Sequence, residues 1–513
     1  MILKTGDPGS PRPRRYVWEN IMELCWKGAG VLVFAWGFYV LFLVFSTHPC
    51  WQSSDCWAAL VMGSQNAQKF QFQDPETFSP YSNTKISTNS SNPTSLDHIV
   101  FGIATSADKW WQRKQYVDLW WQPGKSRGYV WLDKATQDPW PSDSPPFKIS
   151  EDTSHFKFTH PNAPRSAIRI SRIVTETVRL GLQNVRWFVM GDDDTVFFTD
   201  NLIKVLNKYD HNQFYYIGSN SEAVEQNLVH SYAMAYGGGG FAISYPLAKA
   251  LARMQDDCLD RYSNLYGSDQ RVHGCLAELG VPLTKEPGFH QVDVHGSLMG
   301  LMAAHPQAPL VSLHHLEAVS PLFPGMTRVG ALRHLMEAMK ADPDRVAQQS
   351  ICYDRERRWT VSVAWGYCVH IYGRVELPRV LEYPLETFYT WKSWGRPPWY
   401  PFVFNSRPVS REPCENPVVL YMENVGNSTF GGHVSLYSQR GELGSKRCNS
   451  TKNNPAEVKR VKIVSHRMMA ESTQAPRRQC CEIVSSKNSD LEINSDLQIH
   501  VRRCRVGESM SPP

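Results

Sequence analysis

Apolar residues in the first half of the chain follow two alternating spacings. Short apolar runs, typical of buried strands, occur at residues 98–106, 128–133, 185–190 and 214–219. The helical interval of three or four residues separates the apolar side chains at residues 109–121, 166–183 and 200–210. This alternation predicts an α/β domain over residues 96–325, with a mostly parallel sheet flanked by helices. From residue 345 to 508, β-forming residues between turns predict a smaller β-rich C-terminal domain.

Residues 28–46, GAGVLVFAWGFYVLFLVFS, are 19 consecutive residues without a charge. At ~1.5 Å per residue a helix of this length crosses the ~30 Å apolar core of a bilayer. Lysine and arginine precede the stretch and none follows until Lys69, so residues 1–27 are expected to be a cytoplasmic tail. The long apolar run and a poor cleavage motif argue against a secretory signal peptide. We therefore expect a single-pass type II protein that contacts the lipid bilayer through residues 28–46.

The remainder of the chain has the features of a protein in an oxidising lumen. Residues 47–95 are rich in Ser, Gln, Asn, Thr and Pro and predict a stem without a core of its own. Eleven of the 12 cysteines and three N-glycosylation sequons follow the apolar stretch. The sequence does not fix the disulfide connectivity, but short separations favour Cys50–Cys56, Cys258–Cys275 and Cys352–Cys368.

Composition narrows the class of ligand. The net charge is only +5 and no basic stripe carries interleaved aromatic residues, so a nucleic-acid partner is not expected. The chain has 17 tryptophans, a residue type that stacks on the apolar faces of ligands such as sugars. Most of these tryptophans are expected in the core.

Three adjacent carboxylates, Asp192, Asp193 and Asp194, directly follow the apolar run at residues 185–190. Ligands of open α/β sheets bind outside the carboxyl ends of strands. Because adjacent carboxylates repel one another, they favour a hard divalent cation, Mn²⁺ or Mg²⁺, which would bridge to a diphosphate. The alternative is an exposed turn in which a carboxylate caps the next helix.

Three further stretches carry candidate chemistry. Gly237–Gly240 precede a predicted helix at residues 241–254 and could form the floor of a sugar or phosphate site, or only a flexible turn. Asp269 begins an amphipathic helix, as an N-cap or as a general base. His314 and His315 follow a predicted strand, where one of them could add a nitrogen ligand to a metal.

Taken in order, these stretches resemble the fringe-like inverting β-1,3-glycosyltransferases of glycosyltransferase family 31, and most closely the fringe-related transferases of plants. The elements that match are RKQYVDLWW, WFVMGDDDTVFF, AYGGGGFAISYPLAKAL, GSDQRVHGCLAELGVPL and SLHHLE, over residues 96–325. The C-terminal part resembles the domain of unknown function that follows in the plant group. The resemblance implies a GT-A type fold, a UDP-sugar donor, a glycan or glycoprotein acceptor and a Golgi membrane location.

The resemblance also implies roles for single residues. It makes Asp194 a metal ligand together with His314 or His315, and it makes Asp269 the catalytic base. It assigns donor binding to Arg113, Asp192, Asp193, Gly238 and Gly239, and the end of the arginine motif to Trp121. One departure is Gln270, where the plant relatives carry a second acid.

The sequence thus predicts a metal-dependent inverting hexosyltransferase that transfers a sugar from UDP to a hydroxyl, forming a β-1,3 linkage. Gln270 keeps a second hypothesis open, a catalytically inactive sugar-binding or scaffolding protein on the same fold. A calcium-dependent adhesion module is a third, but the glycine run and Asp269 have no part in it.

Overall fold

The computed structural model describes Trp36, Tyr39 and residues 92–391, 404–428, 431–440, 454–468, 476–484 and 496–513. Apart from those two aromatic residues and residues 92–95, the predicted tail, membrane span and stem lie outside the described residues, as does the predicted Cys50–Cys56 pair. In the part of the chain that the structure describes, no helix has both the length and the apolar character needed to cross a bilayer.

A seven-stranded mixed sheet forms the first half of the described chain. The strands of this half are β1 (Ile99–Ala104), β2 (Gly128–Leu132), β3 (Phe147–Ile149), β4 (Trp187–Asp192), β5 (Val196–Phe197), β6 (Tyr216–Gly218), β7 (Phe241–Ser244), β8 (Leu283–Lys285), β9 (Phe289–His290), β10 (Val294–Gly296) and β11 (Ser312–Leu313). The order in the sheet is β3-β2-β1-β4-β7-β6-β8, and only β7 runs against the others. The predicted mostly parallel α/β sheet is confirmed.

The described helices lie against this sheet or against the second sheet described below. They are α1 (Ala107–Val117), α2 (Ser166–Ser171), α3 (Ile173–Arg179), α4 (Thr199–Leu206), α5 (Val224–Val229), α6 (Tyr245–Arg261), α7 (Ser268–Glu278), α8 (Met299–Ala303), α9 (Arg328–Ala341) and α10 (Pro378–Leu381). A disulfide between Cys258 and Cys275 joins α6 to α7, as predicted from their short separation. The prediction that a helix begins at residue 241 is wrong, because residues 241–244 form β7, a strand buried along its whole length.

A second sheet of eight strands occupies the segment predicted to be β-rich. The strands of this half are β12 (Gln349–Asp354), β13 (Trp359–Ala364), β14 (Cys368–Tyr372), β15 (Phe388–Thr390), β16 (Val418–Asn427), β17 (His433–Gln439), β18 (Arg460–Ser465), β19 (Cys480–Val484) and β20 (Asp496–Arg502). The order is β12-β13-β14-β16-β17-β18-β20-β19, while β15 pairs with β10 instead.

The disulfides of this sheet differ from the prediction. Cys352 on β12 bonds Cys481 on β19, so the first and last strands of the sheet are linked to each other. The predicted Cys352–Cys368 pair is wrong, because β13 lies between β12 and β14 and strands ~4.8 Å apart place the two cysteines too far from each other. Within the described residues Cys368 is a buried free thiol.

One hydrophobic core runs through both halves. Residues 91–513 form a single compact unit, and one cluster of buried side chains includes Val189 and Ile217 of the first sheet and Val363 and Leu420 of the second. Helix α9, which follows the fringe-like segment, contributes Leu332, Leu335 and Ala338 to the same cluster.

Candidate active site

The aspartate cluster lies at the carboxyl end of β4, beside the carboxyl end of the parallel strand β1. The chain turns at Asp193 and Asp194 and continues as β5. Thr195 fixes this turn, because its hydroxyl accepts from the Asp192 amide at 2.8 Å and donates to the Gly238 carbonyl at 2.7 Å. The turn is therefore tied directly to the glycine run.

The three carboxylates have different surroundings. Asp193 is buried, accepts from the Thr105 hydroxyl, and accepts from Arg113 at 3.0 Å. Asp194 is also buried, with one oxygen 3.1 Å from His314 Nε2 and the other 3.3 Å from Arg113. Asp192 has 36% of its side chain exposed and lies 3.7 Å from His314 Nε2. The partly buried Asp192 and the fully buried Asp194 thus face the same imidazole.

His314 reaches the cluster because β11 pairs with β5, opposing Leu313 to Val196. The His314 ring occupies the space over Gly238, where an added Cβ would lie 2.0 Å from Cε1 of the ring. Its Nδ1 lies 3.2 Å from the Gln291 carbonyl, to which it donates, so Nε2 is the nitrogen turned toward the carboxylates.

His315 has a different position from its neighbour. Its backbone is left-handed, with φ of 51°, and its Nδ1 lies 2.8 Å from an Asp293 oxygen. The structure thus brings His314, rather than His315, to the aspartate cluster. The turn at His315 depends on tertiary contacts, and sequence reasoning left the choice between the two open.

Asp192, Asp194 and His314 can together hold a metal ion, since one ligand atom from each lies within 4.8 Å of the others. Among the described residues neither oxygen of Asp194 makes a well-aligned hydrogen bond, although charged groups lie close to both. A buried carboxylate without aligned hydrogen-bond donors needs another partner, and together with an imidazole nitrogen it offers ligands that suit Mn²⁺ or Mg²⁺. The residues present fit such a cation.

The pKa shifts of the residues in this cluster indicate that it favours a positive charge. Desolvation alone would raise the pKa of Asp194, but the charges of His314 and Arg113 outweigh it and the pKa is lowered. Desolvation alone would lower the pKa of His314, but Asp194 and Asp192 outweigh it and raise the pKa to about 9. Desolvation raises the pKa of Asp192 to about 7. A proton on His314 therefore occupies the place that a cation would take.

Arg113 lies on α1 and bridges three carboxylates. Besides Asp193 and Asp194, its guanidinium donates to Glu317 at 2.9 Å. Its side chain remains 25% exposed, so one edge faces the solvent side of the site. Trp121, by contrast, is buried against Phe101, with ring centroids 6.4 Å apart, and belongs to the core.

At the start of α7, the side chains of Asp269 and Gln270 have different hydrogen-bond partners. The Asp269 carboxylate accepts from the Gly237 amide at 3.3 Å and lines a small cavity together with Asp192. Desolvation raises the pKa of Asp269. The Gln270 amide oxygen accepts instead from the Tyr266 and Gly267 amides, at 2.9 and 3.1 Å, and so caps the helix.

The backbone of the glycine run is held in place by side chains. The Gly239 amide donates to the Gln291 side chain at 2.6 Å, and the Gly239 carbonyl accepts from Ser312. Strand β7 separates this run from α6, so no helix begins directly after the glycines. The run contacts the site in two ways, because the Gly237 amide donates to Asp269 and Gly238 leaves the space that His314 fills.

Sequence reasoning missed the residues that hold the two histidines. Gln291 and Asp293 contact His314 and His315 from either side of Val292, whose φ of 57° is strained for a β-branched residue. Glu222 accepts from the Val292 amide at 2.7 Å and stabilises this conformation. No local motif marks these positions, which come from two separate segments, residue 222 and residues 291–293.

Comparisons with known proteins agree with this arrangement. The family model described as Fringe-like matches residues 94–320, and the model described as protein of unknown function, DUF604, matches residues 226–481. Curated β-1,3-glucosyltransferases of Mus musculus and Homo sapiens are 32% identical over 108 and 106 residues, which are 21% and 20% of this chain. The chain spans about a fifth of the length of these relatives.

Solved glycosyltransferases match this chain over a larger share of their own length, at lower sequence identity. A galactosyltransferase, LgtC, in complex with donor and acceptor sugar analogs, covers 36% of this chain and 72% of its own, at 14% identity and a TM-score of 0.25. A mannosyltransferase from Pyrobaculum calidifontis, in complex with GDP-Man and Mn²⁺, covers 39% and 58%, at 13% identity and a TM-score of 0.24. Such scores carry no conclusion about ligand or reaction.

The mixed sheet, the carboxylates at its strand ends and the ordered motifs all lie within the segment that the Fringe-like model matches. Residues 94–320 therefore belong to the fringe-like family, and the overlapping residues 226–481 match the DUF604 model.

Proposed function

We propose that this protein is a metal-dependent inverting hexosyltransferase of GT-A type. It transfers a sugar from a UDP-sugar to a hydroxyl of a glycan or glycoprotein, forming a β-1,3 linkage. The observation that carries this proposal is the cluster of Asp192, Asp194 and His314, in which a buried carboxylate lacks aligned donors among the described residues.

The cluster has the parts that donor binding requires. Asp194 and His314 Nε2 would hold Mn²⁺ or Mg²⁺, and Asp192, at the exposed side, would complete the ligands. When bound, the cation supplies charge neutralisation to the departing diphosphate. Arg113 adds a positive charge beside the same carboxylates, and Asp193 keeps the guanidinium in position through a 3.0 Å contact.

Asp269 is the proposed general base. It lines the same cavity as Asp192, so a hydroxyl there would lie between the base and the donor site. Burial raises its pKa, which makes the carboxylate a stronger acceptor of a proton. The acceptor oxygen, once deprotonated, attacks the anomeric carbon from the face opposite the diphosphate, and the configuration inverts. One base is sufficient because the leaving group is already good.

Release of UDP, measured with and without acceptor, tests this role. Asp269→Asn should lose ~10²–10⁴-fold in transfer rate while Mn²⁺-dependent UDP binding persists. Gln270→Ala is the matched control, since the Gln270 side chain caps the helix and only its backbone amide, which alanine keeps, donates to Asp269. Transfer at the original rate by Asp269→Asn would exclude Asp269 as the base.

The second candidate, an inactive sugar-binding or scaffolding protein, depended on Gln270. In the structure Gln270 is occupied as a helix cap and Asp269 takes the position next to the glycine run. This geometry favours the enzyme. Mn²⁺-dependent binding of UDP-sugars, without turnover of any of them, would favour the binding protein instead.

We further propose the Golgi membrane as the location, with residues 28–46 as the anchor, 1–27 in the cytosol and the remainder in the lumen. The uncharged stretch, the lysines and arginines before it and the lumenal cysteines support this topology. Protease protection of intact microsomes tests it, because only the tail should be cleaved before detergent is added.

A further inference from the structure

A column of five aromatic rings in contact leads outward from the metal-binding cluster. His314 and His315 have ring centroids 3.8 Å apart, and His315 stacks on Trp391 at 4.7 Å and 11°. Trp391 stacks on His295 at 4.7 Å and 11°, and His295 lies 5.4 Å from Tyr389. We call these five residues the aromatic column.

The inner rings of the column are fixed by hydrogen bonds and strand pairing. Asp293 holds His315, and the Ala318 carbonyl lies 3.2 Å from His295 Nδ1. The antiparallel pair of β10 and β15 places Tyr389 directly opposite His295. The rings therefore keep their places without a ligand.

The outer end of the column is open to solvent. Tyr389 is 62% exposed, whereas large aromatic side chains of the core are nearly inaccessible. An exposed flat ring, at the outer end of a column that begins at the site for sugar transfer, is suited to stack on the C–H face of a pyranose. The partly exposed carboxylates of Asp192, beside His314, and of Glu317, beside Arg113, favour a neutral sugar over an anionic one.

We propose that the aromatic column forms the subsite for a neutral acceptor glycan, with Tyr389 as its outer stacking surface. This inference rests on the proposed function of the metal cluster. Tyr389 and Trp391 lie beyond the Fringe-like match and inside the DUF604 match, at residues 226–481. The C-terminal segment would thus supply part of the acceptor site of the transferase.

Binding measured in two stages separates this inference from the proposed function. UDP binding in Mn²⁺ is measured first by calorimetry. The UDP-saturated protein is then titrated with neutral disaccharides of glucose, galactose, xylose and N-acetylglucosamine, followed by saturation-transfer NMR. The variants are Tyr389→Ala, Tyr389→Phe, which keeps the ring, and Phe214→Ala. Phe214 is 47% exposed but precedes β6, at the amino end of a strand parallel to β4, whereas the aspartates lie at the carboxyl end of β4.

We expect at least one disaccharide to bind the wild type and to bind Tyr389→Ala about tenfold more weakly. Tyr389→Phe and Phe214→Ala should stay within about twofold, and UDP binding should be the same in all variants. Equal disaccharide affinity in Tyr389→Ala, or no disaccharide binding to a wild type that binds UDP, would overturn the acceptor subsite. Absence of Mn²⁺-dependent UDP binding in the wild type would instead overturn the proposed function.

Discussion

Replacement of Gly238 by alanine should disable the metal cluster through a single methyl group. The new Cβ would lie 2.0, 2.3 and 2.4 Å from three atoms of the His314 ring. The ring is buried and its Nδ1 is bound to the Gln291 carbonyl, so it has little room to rotate. The Gly238 carbonyl is itself held by Thr195, so the loop cannot retreat without loss of that hydrogen bond.

The required displacement sets the size of the effect. An ordinary contact begins at 3.4 Å, so the ring and the new methyl group must separate by ~1.4 Å. Metal–ligand distances tolerate only ~0.2 Å, so His314 would no longer hold the ion together with Asp194. We expect Mn²⁺ affinity to fall by about 100-fold, or ~2.8 kcal/mol. Overpacking should also lower the free energy of unfolding by ~1–3 kcal/mol.

Calorimetric titration with Mn²⁺, together with thermal unfolding, measures both effects. Gly237→Ala is the matched control, because its Cβ would meet only Asp269 Cβ, at 3.8 Å. Mn²⁺ binding by Gly238→Ala with the wild-type affinity would refute the placement of His314. An equal loss in Gly237→Ala would show that the loop, rather than the ring, determines the affinity.

Three further predictions concern stability. Gln270→Ala removes the acceptor of two amides and should cost ~1 kcal/mol, seen as a lower urea midpoint at an unchanged transfer rate; an unchanged midpoint contradicts the cap. Burial lowers the pKa of His305 to about 3, so the unfolded chain binds a proton below pH 6.5 that the folded chain does not. The free energy of unfolding therefore falls as the pH drops from 6.5 toward 3, and His305→Gln should flatten this slope by up to ~1.4 kcal/mol per pH unit. Equal slopes for the variant and the wild type would show that His305 is not the cause. Replacement of Cys352 and Cys481 by serine should lower the unfolding free energy by ~2–4 kcal/mol in thermal scans under oxidising conditions; an equal midpoint would refute the linkage.

Local patterns predicted the parts of the fold that depend on local signals. The apolar run before Asp192 forms the central strand β4, and the amphipathic pattern after Asp269 forms α7. The Cys258–Cys275 pair was also predictable, because neighbouring helices separated by a short turn bring the two residues together. Each of these features lies within about twenty residues of the signal that predicts it.

Features that depend on long-range contacts were not predictable. Cys352 pairs with a cysteine 129 residues away, a distance at which sequence separation carries no information. The distinction between His314 and His315 depends on Gln291 and Asp293, which belong to another segment. Similarly, residues 241–244 form a strand only because two neighbouring strands, β4 and β6, enclose them.

The hydrophobic core shared by the two sheets has a consequence for how the molecule melts. Helix α9 buries Leu332 and Leu335 in the cluster that also contains Val189 of the first sheet and Val363 of the second. Unfolding of either sheet would therefore remove buried contacts from the other. Calorimetry of residues 91–513 should therefore show one cooperative endotherm rather than two. A fragment that ends at residue 320 would expose apolar surface that the full chain covers, and aggregation is its expected fate.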